Sequence, residues 1–288
     1  MKQVLKYILI LPVIAVLFSA CEQIVDLQVP ESDPLLVVEA AISNDSVPFR
    51  VKLSLSQPYF NQDERTYVDD AQVIISGSNG TIDTLYHQDT GTYSTKTVRW
   101  CVVGETYTLS IRYKGKTYTS SEKCKFQEPI DFLMSFYLPD QNGFIEPGYY
   151  VFEKAGESEA VGDYYFWKIY RNDSLINEFG YLLDEDEFRE TSFFNLNIDP
   201  DDPLKDMDKN ILPRPFPFKF DPNDHVRVEQ YNISQGYYDF LNELQTQVSR
   251  SGAPFDPPPV NPNFNISNGA IGYFSVSNVS RDTLTIVE

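Results

Sequence analysis

Residues 106–124 read TYTLSIRYKGKTYTSSEKC, and they decide the fold of the first part of the chain. Lys114-Gly115 lies between two runs rich in Thr and Tyr, which is typical of a β-hairpin with a two-residue loop. A loop of that length pairs Tyr113 with Lys116 and fixes the register of everything that follows. The stretch therefore predicts two adjacent antiparallel strands.

The segments upstream of this hairpin have the same strand chemistry. Residues 51–55, VKLSL, alternate apolar and polar side chains, so that one face of the strand is buried. Turn-forming Asn, Asp and Gly residues separate the segments. The predicted strands are 35–41, 49–55, 71–76, 81–86, 93–98, 106–113 and 116–121. Seven short strands in about 90 residues, without a helical period, predict a mainly β fold with an immunoglobulin-like β-sandwich, which we place at residues 34–128.

Two cysteines, Cys101 and Cys124, flank the hairpin. Its register brings Glu105 opposite Cys124, and Cys101 lies just upstream, around the bend at residues 102–104. A disulfide between them is sterically feasible, and it would stabilise the chain by about 3 kcal/mol in the chain-entropy model. The alternative is a pair of buried free thiols. No histidine or further cysteine clusters nearby, so no metal site is predicted here.

Residues 129–288 predict a second, mostly β domain with one packed helix. Apolar residues recur at helical spacing from Tyr237 to Val248, and Ser234 is placed to cap the helix, which we expect at about residues 235–249. The polar, proline-containing stretch 184–224 is expected to be a mobile loop. The predicted strands of this domain are 130–138, 149–153, 163–170, 225–231, 270–277 and 283–287.

The N-terminus predicts export and a lipid anchor. Residues 1–20 have a basic start, an apolar stretch too short to cross a bilayer comfortably, and a small pair of residues before Cys21, as in a secretory signal peptide. Residues 18–21, FSAC, resemble a bacterial lipobox, although Phe18 stands where Leu is usual. The resemblance implies cleavage before a lipidated Cys21, followed by a tether at residues 21–33. Two or three acyl chains anchor a protein stably.

The charge of the chain excludes one class of partner. The formal net charge of -19 becomes -21 when the signal peptide, with its two lysines and no acidic residue, is removed. A chain this acidic is not expected to bind nucleic acid or anionic lipid surfaces.

The sequence contains no recognisable catalytic set, and we predict no enzyme activity and no cofactor. The chain has only two histidines, His87 and His225, both at predicted strand ends, and it lacks nucleophile-elbow, zinc-protease and phosphate-loop motifs. The acidic residues between 199 and 208 suggest calcium, but they lack the spacing and turn glycine of an EF-hand, so a solvated loop is preferred.

Aromatic residues are better candidates for binding, because their rings stack on sugars and bury area at interfaces. Tyr59 and Phe60 follow Pro58 in a predicted loop, and we propose them as ligand or partner contacts. Trp100, next to the predicted disulfide, and Trp167, inside a predicted strand, are expected to pack in the core.

Four tripeptides resemble the acceptor motif of general O-glycosylation in Bacteroidota, an Asp followed by Ser or Thr and an apolar residue. The resemblance implies four candidate acceptors: Ser46, Thr84, Ser174 and Thr283.

An ordered set of short motifs covers nearly the whole chain. They are 18–21 FSAC, 37–40 VVEA, 56–60 SQPYF, 68–73 VDDAQV, 104–109 GETYTL, 115–118 GKTY, 163–167 DYYFW, 237–240 YYDF, 265–269 NISNG and 271–277 IGYFSVS. Together they resemble domain-of-unknown-function family 4249 of Bacteroidota, which usually has Gly where this chain has Ala40. The resemblance implies a cell-envelope lipoprotein, often encoded beside a TonB-dependent outer-membrane receptor, and it transfers no catalytic residues.

These observations predict a non-enzymatic lipoprotein of the outer membrane that assists a TonB-dependent receptor, either by presenting a ligand or by binding the receptor. Which face of the membrane it occupies is left open. Two alternatives also stay open: an envelope hydrolase acting on glycans or peptides through scattered carboxylates, and a structural adhesion module.

Overall fold

A computed structural model describes residues 33–57, 65–139, 146–155, 162–176, 182–185, 216–248 and 261–288. The first part of the chain contains β1 (Leu36–Ser43), β2 (Arg50–Leu55), β3 (Gln72–Gly77), β4 (Ile82–His87), β5 (Thr92–Ser94), β6 (Thr106–Tyr113) and β7 (Lys116–Lys123). The elements that follow are β8 (Ile130–Leu138), β9 (Gly148–Ala155), β10 (Tyr164–Arg171), β11 (Ser174–Leu175), β12 (Leu182–Glu185), β13 (Lys219–Phe220), β14 (His225–Ile233), the helix α1 (Gln235–Val248) and β15 (Ile271–Thr285).

The hairpin formed by β6 and β7 has the predicted register. Tyr113 pairs with Lys116, and the backbone N–H of Cys124 donates to the carbonyl of Glu105 at 2.9 Å. Lys114 and Gly115 both have positive φ, 46° and 75°, as a two-residue loop that matches the twist of the strands requires. The seven predicted strands are all present, although β5 begins one residue earlier and ends four residues earlier than its expected range.

The seven strands fold over one another to enclose a single core. Along the sheet the order is β1, β2, β5, β4, β3, β6 and β7. The inward residues of the first half, such as Val38 and Leu53, share a buried cluster with Val73 and Leu109 of the second half. The prediction of a mainly β fold with an immunoglobulin-like sandwich and one helix is therefore confirmed.

The long C-terminal strand β15 joins the two parts of the chain. Its first half pairs in parallel with β1, and its second half pairs antiparallel with β14. The sequence predicted two strands, 270–277 and 283–287, with a break between them. That interpretation was wrong, because the polar residues at the expected break are paired with β14, and the side chain of Asn44 binds both the N–H and the carbonyl of Val279.

Residues 34–288 form one compact unit with more than one hydrophobic core. The sandwich core is separate from a second cluster, which includes Val151, Ile169 and Val228. A small sheet in the order β13, β9, β8 contributes to this second cluster. The boundary expected at residues 128 and 129 divides neither the sheet nor the sandwich core, because β15 pairs with both β1 and β14 and the core includes Ile266 and Phe274. The two-domain organisation stays a prediction.

A buried polar network fixes the connection between the two cores. Gln127 donates to Gln230 at 2.6 Å, Gln230 donates to Glu153 at 2.8 Å, and Trp167 Nε1 donates to Glu153 at 2.9 Å. Most buried polar groups in folded proteins have a hydrogen-bond partner. The network therefore orients Trp167, which is 7% exposed and packs in the core as predicted.

The helix α1 begins where the sequence predicts. Ser234 Oγ accepts from the backbone N–H of Tyr237 at 3.2 Å, which is the expected N-cap contact. Leu241 is buried against Phe166 and Ile233. In the described part of the chain this helix of 14 residues is the longest, and none there has the length and apolar character needed to cross a membrane.

A carboxyl group lies where β7, β15 and the start of α1 meet. Glu122 Oε1 accepts from the Tyr273 hydroxyl at 3.0 Å and from Asn265 Nδ2 at 3.2 Å. Burial raises the pKa of Glu122 above its ordinary value, against the lowering effect of these hydrogen bonds. The charged form of Glu122 is therefore disfavoured in the folded chain.

We expect Glu122→Gln to raise the free energy of unfolding at neutral pH and to change it little near pH 4. Because the folded pKa is raised, the stabilising effect of this group is fully present below the unfolded pKa of about 4.3 and is lost as the pH rises through the folded pKa. The glutamine keeps an oxygen that accepts from Tyr273 and Asn265. Urea unfolding across this pH range measures the difference, with the exposed Glu288→Gln as the control. The prediction is contradicted if the difference in unfolding free energy between Glu122→Gln and wild type does not grow as the pH rises.

Candidate functional site

A surface pocket of about 340 Å³ lies at one end of the sandwich. Four parts of the sandwich line it: the residue before β2, the turn from β3 into β4 with the start of β4, the connection from β5 to β6, and the start of β6. Its floor is aromatic, since Phe49 and Tyr107 meet edge to face with their ring centroids 6.3 Å apart. Both floor residues belong to the sandwich core, so the bottom of the pocket is rigid.

The connection from β5 to β6 carries the outer wall of the pocket. Arg99 and Val47 exchange backbone hydrogen bonds of 3.1 and 3.3 Å, and the N–H of Cys101 donates to Ser43 at 2.9 Å. The N–H of Val102 donates to the Tyr107 hydroxyl, also at 2.9 Å. This connection is therefore held along its length, although it forms no named strand.

Trp100 is exposed, which corrects the expectation that it packs in the core. Its neighbour Cys101 is buried, whereas Trp100 itself is 56% exposed and Val102 is also exposed. The connection turns the thiol inward, and it turns the residues on either side of it outward. Together with Ile82, which is 72% exposed, these side chains form the apolar wall of the pocket.

The remaining lining residues of the pocket include polar side chains. Arg99 Nε is paired with Asp83, and Arg99 Nη1 donates to the carbonyl of Val98 at 3.1 Å. Asn79 Oδ1 accepts from the backbone N–H and the hydroxyl of Thr81, at 3.0 and 2.8 Å. The pocket thus combines an apolar wall with fixed polar groups, which is the usual composition of a small-molecule site.

The described lining of this pocket contains few titratable side chains. Among the described residues that line it, Asp83 is the only one with a carboxylate, and that carboxylate is engaged by Arg99. Hydrolysis of glycosidic bonds commonly uses two carboxyl groups about 5 to 10 Å apart. In the part of the chain that the structure describes, no group of three or more His, Cys, Asp or Glu side chains is arranged to hold a metal ion. The described lining of the pocket therefore does not contain such a pair of carboxyl groups.

Several predicted site residues lie outside the described residues. These are the lipidation site Cys21, the proposed contact residues Tyr59 and Phe60, and the acidic residues between 199 and 208. They stay predictions.

The two cysteines of the predicted disulfide are buried side by side. Cys101 and Cys124 are described as free thiols within the sandwich core. Hydrogen bonding with Cys124, together with burial, raises the pKa of the Cys101 thiol. The carbonyl of Cys124 accepts from Gly104 at 2.8 Å, so the backbone brings the two residues together as the hairpin register requires. The bond itself stays a prediction.

The four candidate O-glycosylation hydroxyls all lie at exposed positions: Ser46, Thr84, Ser174 and Thr283. The aspartates that precede the first two are engaged, because Asp45 is paired with Arg281 and Asp83 with Arg99. Modification at these sites stays a prediction.

The two histidines lie where the sequence placed them. His87 ends β4 and His225 opens β14. His87 Nε2 lies 3.0 Å from an oxygen of Asp69 on the exposed side of the sandwich. Neither histidine lines the pocket.

Comparisons with known proteins place the chain in a family. A two-domain fibronectin type-III segment of chicken tenascin matches with 11% identity over 70% of this chain and 92% of that chain, at a TM-score of 0.21. No curated protein matches the chain. The family described as "Domain of unknown function (DUF4249)" matches residues 22–283. Because this match spans nearly the whole chain, the protein belongs to the DUF4249 family.

Proposed function

We propose that this protein is a non-enzymatic binding lipoprotein of the outer membrane, anchored through Cys21, that presents a ligand to a TonB-dependent receptor. The observation that carries the proposal is the pocket beside Trp100. A tryptophan that is more than half exposed, next to an even more exposed isoleucine, is costly to leave in water unless something covers it.

The construction of the pocket supports a binding role. Aromatic side chains with low conformational freedom are preferred anchors at binding sites. The backbone around Trp100 is already fixed by its bonds to Val47, Ser43 and Tyr107. A site that is ordered before binding loses less entropy when the ligand arrives.

The other parts of the proposal come from the sequence. The lipobox-like residues before Cys21 support a lipid anchor, and the acidic net charge is against a nucleic-acid partner. The resemblance to envelope lipoproteins encoded beside TonB-dependent receptors supplies the partner. The alternatives, a hydrolase and an adhesion module, gain no specific contact in their favour from the described residues.

Co-purification from solubilised outer membranes tests the proposal. We expect a TonB-dependent receptor to accompany the wild-type protein in a stoichiometric ratio and to be lost from a Cys21→Ala variant, because that variant cannot carry the thioether-linked lipid. Labelling with acyl-chain precursors checks the modification directly. Recovery of the folded, lipidated protein without any receptor would contradict the partnership.

A further inference from the structure

We infer that the pocket beside Trp100 binds a neutral saccharide. This inference rests on the proposed function, since a protein that presents a ligand needs a site for it, and it names the chemical class of that ligand. Three properties of the pocket lead to it: its apolar wall, its unused polar groups and its balanced charge.

The apolar wall suits one face of a sugar ring. Trp100, Ile82 and Val102 all line the pocket, and all three are exposed. A pyranose ring has a face of C–H groups that packs against an aromatic ring while its hydroxyls stay at the edge. Burying such a face removes apolar area from water on both partners. The volume, about 340 Å³, is at the lower end for small-molecule sites.

The polar side of the pocket retains both donors and acceptors. Asn79 uses its oxygen to hold Thr81, so its Nδ2 is left to donate. Asp83 uses Oδ1 to accept from Arg99, so its Oδ2 is left to accept. Arg99 uses Nε and Nη1 within the protein, so its Nη2 is left to donate. A sugar hydroxyl both donates and accepts, so neighbouring hydroxyls satisfy such a mixed set.

The charge of the pocket favours a neutral ligand. Of the lining residues that the structure describes, Arg99 is the only cation, and it is already paired with Asp83, whose side chain is 10% exposed. An anionic ligand would have to compete with that carboxylate, and it would approach a chain of net charge -19. A cationic ligand would have to displace the guanidinium from Asp83. A neutral ligand meets neither cost.

The experiment uses the full lipidated protein in a detergent without a sugar headgroup, because maltoside detergents would occupy the pocket. A glycan array with neutral and anionic oligosaccharides, together with a peptide array, identifies the class of ligand. We expect binding to neutral oligosaccharides. Titration of the best array ligand then gives the dissociation constant, and intrinsic fluorescence reports on Trp100, because the chain's other tryptophan, Trp167, is buried.

Two variants and one matched control locate the site. Trp100→Ala is expected to weaken neutral saccharide binding by about tenfold or more, which corresponds to roughly 1.4 kcal/mol. Asp83→Asn is expected to weaken neutral binding and to admit anionic glycans, because Arg99 then loses its partner. Tyr137→Ala removes an aromatic side chain of equal exposure, 57%, from β8 in the small sheet. That control is expected to stay within about twofold of wild type.

Several results overturn the inference. They are the absence of any neutral ligand on the array, binding of anionic glycans or peptides alone, and neutral binding that Trp100→Ala leaves unchanged. Receptor co-purification is measured separately on the same preparations. If the receptor is retained but no sugar binds, the inference fails and the proposed function survives. If a sugar binds but no receptor accompanies the protein, the partnership fails and the pocket assignment survives.

Discussion

Gly272→Ala is expected to lower the free energy of unfolding by roughly 3 to 5 kcal/mol, one of the largest effects available from a single methyl group in this protein. Gly272 lies in β15 directly opposite Val38 of β1. Its φ of 106° is a conformation that residues with a Cβ rarely adopt. A Cβ at this position would lie 2.0 Å from the carbonyl oxygen of Val38 and 2.9 Å from its carbonyl carbon.

The clash falls on backbone, so no side chain can move to relieve it. Neighbouring strands lie about 4.8 Å apart, and widening that gap breaks the hydrogen bonds between them. Since β15 pairs with both β1 and β14, a shift at Gly272 weakens the connection between the two parts of the chain. Urea unfolding followed by Trp167 fluorescence measures the loss, because Trp167 is buried in the second core.

Gly162→Ala is the matched control. Gly162 has a similar φ of 101°, but an added Cβ there has nothing within 4 Å. It carries only the conformational cost, about 1 to 2 kcal/mol. The difference between the two variants isolates the close approach of β15 to β1. If both variants lose the same unfolding free energy, β15 and β1 have more room between them at Gly272 than the structure describes.

The strands of the sandwich were predictable because local chemistry and tertiary structure agree there. Alternating side chains in residues 51–55 match a strand with one buried face, and Leu53 is fully buried. The Lys114-Gly115 turn predicts the register of β6 and β7 from sequence alone, and the structure has that register. The capping Ser234 marked the start of the helix in the same way.

The course of β15 was not predictable from local pattern. Polar residues near 278–282 favour a turn, but in the structure they are paired with β14. Asn44, more than 200 residues away in sequence, supplies the bonds that let the strand continue past the end of β1. The role of Gly272 depends on the same long-range pairing, so the sequence shows the glycine but not the reason for it.

The pocket was missed because its residues come together only in the folded chain. The sequence favoured a core position for Trp100 because this residue lies next to the predicted disulfide. One local signal pointed the other way. Cys101 was expected to be buried as half of a disulfide, and a residue beside a buried position in extended backbone tends to face outward. No local pattern in the sequence predicted that Asp83 and Arg99 lie together. Their ion pair joins β4 to the connection before β6, and only the folded chain brings these segments into contact.

Reduction of the mature protein is expected to lower its free energy of unfolding by about 3 kcal/mol, through loss of a disulfide between Cys101 and Cys124. The two thiols are hydrogen-bonded to each other in the sandwich core. The chain is expected to be exported to a compartment where paired cysteines are oxidised. Thiol–disulfide exchange with an envelope disulfide donor forms the bond, and the donor is reduced to two thiols as it accepts both hydrogen atoms.

Mass spectrometry and unfolding test this prediction together. Protein purified from envelopes without reductant is expected to yield no alkylatable thiol at Cys101 or Cys124 after denaturation, and its melting temperature is expected to fall by roughly 6 to 12 °C when reductant is added. A Cys101→Ala/Cys124→Ala double variant is the control, because reductant has no bond to break in it. Two free thiols in the unreduced protein would establish the alternative of buried free cysteines.

The same bond bears on the pocket, because Cys101 lies between Trp100 and Val102. Oxidation ties this connection to the end of β7 in addition to its backbone bonds to Ser43 and Tyr107. Reduction is therefore expected to increase the quenching of Trp100 fluorescence by acrylamide at temperatures well below unfolding, with Trp167 contributing little because it is buried. Unchanged quenching would mean that the backbone contacts alone hold the pocket, and the disulfide would then stabilise the fold without ordering the site.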